Sequence, residues 1–210
     1  MNTLSPADIM SVSPIIPVIA IDDADHAVDL AHALMDGGIK VLEITLRTPA
    51  ALASIKKISA AIPDAVVGAG TVLTTDDLSN VIDAGASFAI SPGSTPKLLK
   101  TAQAEKFPLL PGVATASEIM QGMDLGYNHF KLFPAVTAGG VGALKSFSGP
   151  FPQARFCPTG GISMTNMNEF LTLENVICVG GSWIAPQALV QTGNFAEITH
   201  ITAKSLKELK

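Results

Sequence analysis

Short apolar segments rich in β-branched residues recur about eight times along this chain, roughly 22 to 25 residues apart, and each is followed by a helix-like stretch. They read I-I-P-V-I-A-I at 15–21, V-L-E-I-T-L at 41–46, A-V-V-G-A-G at 65–70 and S-F-A-I-S at 87–91. The series continues with P-L-L-P-G at 108–112, H-F-K-L-F at 129–133, R-F-C-P-T-G at 155–160 and N-V-I-C-V-G at 175–180. They show little period-two alternation, which predicts strands covered on both faces, as in a parallel sheet. Between them lie helical patterns with clear punctuation. Residues 23–38 start acidic and stop at Gly37-Gly38; residues 48–63 offer Thr48 as N-cap, Pro49 at the first helical position and Pro63 beyond the end. Residues 74–85 repeat the scheme, and Thr115 with Glu118 has capping-box spacing. An eightfold strand–helix unit that closes on itself is a (β/α)₈ barrel, and 210 residues lie near the short end of that fold's range of about 200 to more than 400. The expectation is an α/β chain of TIM-barrel type, one domain over residues 1–210, with a short N-terminal helix.

The competing architecture, an open doubly wound sheet, would want a dinucleotide fingerprint after its first strand. None stands there, and G-A-G-T at 68–71 fails because Leu73 occupies the third glycine position. With 48% hydrophobic and 15% charged residues the chain has material for a sizeable core, and no linker divides it. Its formal net charge of −5 is mild and its cations are scattered, so no face for nucleic acid or anionic lipid stands out. Cys157 and Cys178 lie far apart in apolar segments without partners at metal spacing, and read as reduced core residues. The opening M-N-T-L-S-P-A-D-I-M lacks the pattern of a secretory leader, and no apolar run reaches membrane-spanning length. These features point to a soluble cytoplasmic protein.

In such a barrel the reactive groups project from the C-terminal ends of the strands. The sixth strand candidate carries Lys131 inside an apolar and aromatic run. It reads either as a lysine whose stem threads outward to water or as an amine kept neutral to act as a nucleophile. Glu43 sits among apolar neighbours on the second strand, either paired with a cation or serving as general acid/base. Arg47 lies just past that strand, as an exposed helix-start residue or a bidentate carboxylate binder. Thr71 either caps the following helix or donates to a substrate. Thr159-Gly160-Gly161 precedes a helix expected near Ser163, and Gly180-Gly181-Ser182 follows the last strand. Loops after the seventh and eighth strands of such barrels frequently bind phosphate. The four histidines, with no His/Asp/Glu cluster at metal spacing, are given no ligand role, and no metal or cofactor is expected.

A nucleophilic lysine, a carboxyl, a carboxylate-binding arginine and a phosphate site suit a keto acid with a phosphate at its other end. Lysine and a ketone form a Schiff base, whose iminium accepts electrons from a breaking carbon–carbon bond. The segments E-I-T-L-R-T (43–48), G-A-G-T-V-L (68–73), S-P-G (91–93), P-G-V-A-T (111–115), F-K-L-F-P-A (130–135), P-T-G-G-I (158–162) and G-G-S-W (180–183) together resemble one family. It is that of the 2-keto-3-deoxy-6-phosphogluconate (KDPG) aldolases of the Entner–Doudoroff pathway, many of which also cleave 4-hydroxy-2-oxoglutarate. The resemblance spans nearly the whole chain. It implies Lys131 as the Schiff-base lysine and Glu43 as the acid/base, with Arg47 and Thr71 at the pyruvyl carboxylate. Thr159 would lie beside the substrate, Gly160, Gly161 and Ser182 at the phosphate, Phe133 against the pyruvyl part, and Pro92 in the wall. It further implies a metal-free, cofactor-free homotrimer. Val136 departs from the family pattern, in which an acidic residue commonly follows F-P-A. The rival readings are a phosphosugar isomerase or epimerase, and a non-catalytic phosphate-binding barrel in which Lys131 and Glu43 form an internal ion pair.

Overall fold

Ser5 opens the first helix, α1 (Pro6–Ser11): its side chain accepts from the Asp8 amide while the Asp8 carboxylate accepts from the Ser5 amide. This reciprocal cap satisfies two donors that a helix start otherwise leaves unpaired, and it supplies the expected short N-terminal helix in the computed structural model, which describes residues 4–209. The strands follow near the expected places, the fifth divided in two and the last displaced to the end of its expected segment: β1 (Ile15–Ile19), β2 (Val41–Thr45), β3 (Val66–Gly70), β4 (Ala89–Ile90), β5 (Leu109–Leu110), β6 (Gly112–Val113), β7 (His129–Leu132), β8 (Arg155–Pro158) and β9 (Val179–Gly181). Every pairing between them is parallel. All five residues of β2 are buried, so the continuous apolar run does mark a strand covered on both sides.

The alternating helices are α2 (Ala27–Asp36), α3 (Ala51–Ala61), α4 (Thr75–Asp83), α5 (Pro96–Ala104), α6 (Ala116–Asp124), α7 (Gly140–Ser148), α8 (Met167–Leu171), α9 (Gln187–Gln191) and α10 (Phe195–Lys207), with a 3₁₀ turn at Ala24–His26. Capping boxes open α4 (Thr74 with Asp77) and α6 (Thr115 with Glu118), the second as expected. Thr48 is not the cap of α3. That helix starts after Ala50 with no side-chain cap, and the Thr48 hydroxyl instead donates to the Ile21 carbonyl beyond β1. The cap for α4 is Thr74, and Thr71 takes a left-handed backbone (φ 60°) directly after β3.

The closed eight-stranded barrel expected from the repeat resolves into two parallel sheets. One has the order β5-β4-β3-β2-β1-β9 and the other β6-β7-β8. The reason is local. Pro111, which has no amide hydrogen to donate, divides β5 from β6, and its carbonyl accepts from Lys131 on β7. Between β8 and the β9 region the pairing thins to isolated parallel bridges, Thr159 to Gly180 and Phe156 to Val176. Phe88, Phe130 and Phe156 are the largest fully buried side chains, and the rings of Phe130 and Phe156 lie 6.0 Å apart.

The turns after β8 and β9 also differ from expectation. α8 begins at Met167 rather than near Ser163, because the Asn166 side chain closes the intervening loop. It accepts from the Ser163 amide (2.8 Å) and donates to the Gly161 carbonyl (3.0 Å). Both α8 and α9 are five residues long and begin well past the glycines. Several residues therefore separate the glycines from the first turns of α8 and α9.

Candidate active site

Lys131 is the third residue of β7 and is 5% exposed; Glu43 is the third residue of β2 and is 1% exposed. Eighty-eight residues apart in sequence, they meet in the interior with Lys131 Nζ 3.0 Å from Glu43 Oε1. Burying two such groups is tolerable only because each is the other's partner. A 3.0 Å contact is also the distance over which a proton can pass between them. The lysine stem does not thread outward to solvent.

The room for this contact comes from glycine. β3 reads V-V-G-A-G, with two glycines on one face. A methyl group on Gly68 would enter the Phe88 ring, and one on Gly70 would enter the Glu43 carboxylate. Gly112, the register partner of Lys131, plays the same part against the Pro92 backbone, which packs directly on it. Alternate glycines in a strand were the available signal for such clearance, and Gly70 was not singled out from sequence.

A cavity of about 190 Å³ is lined by Arg47, Phe133, Thr159, Gly160, Gly161 and Ser182, so six of the expected site residues share one cleft. Lys131, Glu43, Thr71 and Pro92 do not line it. Lys131 is linked to it through Phe133, with Nζ 5.4 Å from the centroid of that ring. Arg47 is the only charged side chain lining the cleft among the described residues. It is exposed, and its Nε donates to Thr45 Oγ1 at 3.1 Å. No carboxylate among the described residues forms an ion pair with it. Gly160 and Gly161 have φ of 100° and 78°, a region that side chains rarely adopt, and Gly161 packs under Val136. A small cleft open at glycine loops and carrying one positive charge, with the amine of a buried amine–carboxyl pair 5.4 Å from its Phe133 ring, is suited to a small anionic carbonyl compound.

Cys157 and Cys178 are free and buried as expected, yet the fold makes them neighbours. Burial first, then Cys157 and Glu43, push the Cys178 thiol up and keep it protonated. His129 lies at the other end of β7, where a larger cavity of about 440 Å³ is walled by Phe107, Tyr127 and His129. Lys131 and Glu43 do not reach it. Among the described residues no group of three or more His, Cys, Asp or Glu side chains could hold a metal ion.

The family model for KDPG and KHG aldolase matches residues 7–201. The chain is 51% identical to a 2-dehydro-3-deoxy-phosphogluconate aldolase of Pseudoalteromonas atlantica, over 97% of this chain and 94% of the relative. It is 48% identical to a KHG/KDPG aldolase of Escherichia coli, over 98% and 97%. Among solved structures, a KDPG aldolase from Legionella pneumophila superposes with a TM-score of 0.95 at 49% identity, covering 97% of this chain and 98% of that one. That protein was captured with pyruvate as a covalent carbinolamine intermediate.

Proposed function

Because this chain belongs to the KDPG and KHG aldolase family, we propose that it cleaves 2-keto-3-deoxy-6-phosphogluconate to pyruvate and glyceraldehyde 3-phosphate through a Schiff base on Lys131. It is a class I aldolase, a carbon–carbon lyase. The observation that supports the assignment of residues is the buried Lys131–Glu43 contact of 3.0 Å, with Lys131 Nζ 5.4 Å from the Phe133 ring that walls a cleft whose lining holds one charged side chain, Arg47.

In the reaction, Lys131 Nζ passes a proton to Glu43 and adds to the C2 carbonyl to give a carbinolamine; Glu43 returns that proton to the departing hydroxyl, which leaves as water, and the iminium forms. Glu43 removes the C4 hydroxyl proton. The O–H electrons form the aldehyde carbonyl, the C3–C4 bond breaks, and its electron pair passes to the iminium nitrogen as an enamine. After glyceraldehyde 3-phosphate leaves, Glu43 returns the proton to C3, and water hydrolyses the iminium to free pyruvate and the amine. Arg47 and Thr71 hold the pyruvyl carboxylate; Phe133 packs on the pyruvyl carbons, and Pro92 with Thr159 bounds the reacting centre. Gly160, Gly161 and Ser182, which line the cleft together, receive the phosphate. With glyoxylate as the aldehyde product, the same steps cleave 4-hydroxy-2-oxoglutarate.

The two sheets fit one (β/α)₈ barrel over a single domain of residues 1–210, with the isolated bridges at Thr159 and Phe156 marking one seam. A homotrimer is part of the same reading, supported by Leu73 and Met120, apolar side chains 56% and 57% exposed. The substrate's phosphate does not cross a membrane unaided, so the reaction is assigned to the cytoplasm.

The test is mass spectrometry after incubation with pyruvate and borohydride. Reduction should fix an adduct on the peptide carrying Lys131, and Lys131→Ala should lose both the adduct and cleavage. Absence of the adduct from the folded wild-type protein would sink the Schiff-base assignment and leave the isomerase or binding-barrel readings.

A further inference from the structure

Arg47 stands on the loop after β2 with a side chain of four torsions, and an exposed arginine of that kind samples many rotamers. Here it does not hang free. Its Nε donates to Thr45 Oγ1 at 3.1 Å, and the Thr45 hydroxyl donates in turn to the Ile19 carbonyl of β1 at 2.7 Å. Thr45 is 1% exposed. A hydroxyl has a single proton, and this one is committed to Ile19, so the oxygen facing Arg47 can only accept. The polarity of the relay is thereby fixed as guanidinium to hydroxyl to strand carbonyl. The backbone on either side of Arg47 is held as well: the Leu46 amide donates to the Gly70 carbonyl at 2.9 Å, and the Thr48 hydroxyl donates to the Ile21 carbonyl.

We infer that Thr45 is a positioning residue for the aldolase reaction: it holds Arg47 by Nε so that the two terminal guanidinium nitrogens face the cleft as a bidentate clamp for the substrate's anionic group. The inference rests on the reading of Arg47 as that group's binder. With Nε engaged, the side-on face of the fork is blocked and only the terminal pair remains for a carboxylate. Ordering the side chain before the substrate arrives also removes part of the entropy that binding would otherwise cost. Thr45 touches no reacting atom, so its effect belongs in substrate affinity rather than in the chemical steps on Lys131.

The experiment is a double-mutant cycle on the full chain, with KM and kcat for KDPG cleavage and the melting temperature as readouts. Thr45→Val should raise KM about tenfold, the worth of one charge-assisted hydrogen bond, and leave kcat within about twofold. Thr45→Ser, which keeps the hydroxyl, should restore KM. In an Arg47→Met background, Thr45→Val should add nothing further. If Thr45→Val does not fold, Thr45→Ala leaves room for a water at the Ile19 carbonyl and carries the same expectation. Effects of Thr45→Val and Arg47→Met that multiply, or a loss confined to kcat, would overturn the inference while leaving Arg47 in place. An Arg47→Met protein with unchanged KM would instead remove the reading of Arg47 and the inference with it.

Discussion

Gly70 has no side chain, yet it decides where the Glu43 carboxylate can lie. A methyl group there would occupy the space of the carboxylate oxygen that meets Lys131 Nζ. Gly70→Ala is therefore expected to lower kcat by at least about tenfold, because a displaced acid/base forfeits much of the gain of about a hundredfold or more that such a group provides. Gly68→Ala, two residues earlier on the same face, meets the Phe88 ring instead and should cost stability. Measuring kcat and melting temperature for both variants checks this; a Gly70→Ala enzyme with full kcat would show that Glu43 has freedom the packing does not suggest. Sequence patterning found Glu43 and Lys131 because charged residues in apolar strands stand out. It passed over Gly70 and Thr45, whose importance is clearance and a single hydrogen bond across strands, neither of which leaves a local pattern.

At the scale of elements, α2 and α10 pack where Gly37 ends α2. A methyl group on Gly37 would come within 2.5 Å of Thr202 Cβ on α10 and 3.0 Å of the Thr199 carbonyl. Gly37→Ala is expected to lower the melting temperature by about 5 °C, as overpacking of about 1–3 kcal/mol does in a chain of this size. Gly149 makes the contrast: it ends α7 in right-handed backbone (φ −66°) and faces open space. Gly149→Ala should leave the melting temperature unchanged or slightly raised, by reducing the freedom of the unfolded chain. Thermal denaturation of the two variants side by side tests whether the α2–α10 contact is as tight as drawn. The Gly37-Gly38 stop was legible in sequence as helix punctuation; that its first glycine also admits a second helix was not, since α10 lies more than 150 residues further along.

Across the whole molecule, one half-buried titratable group lies outside the cleft, at the start of β7. At the end away from the cleft, burial first and the positive charge of Arg155 second push the His129 imidazole below its usual value of 6.5. The folded protein thus binds fewer protons at His129 than the unfolded chain. Stability should be untouched by this residue well above pH 6.5 and should decline as pH falls from about 6.5 towards the lowered folded value. His129→Gln should flatten that part of a stability-against-pH curve while the carboxylate-driven loss at more acidic pH persists. Denaturant midpoints measured across this range decide it; an unchanged slope in the variant would remove His129 from the account.

By itself the sequence determined the alternation of strands and helices, several helix stops and the α6 capping box, and it marked Lys131 and Glu43 as charged residues in apolar strands. Those properties are set by residues within a few positions of one another, through apolar periodicity, turn chemistry and capping. Only the tertiary structure decided that Lys131 meets Glu43 across 88 residues, that Thr45 holds Arg47, that Gly70 clears the carboxylate, and that Pro111 passes the chain from one sheet to the other. These depend on strand register and on which face each residue takes, and a shift of one residue would reverse every side chain. Register is fixed by the packing of the whole core at once, so no local stretch of sequence carries it.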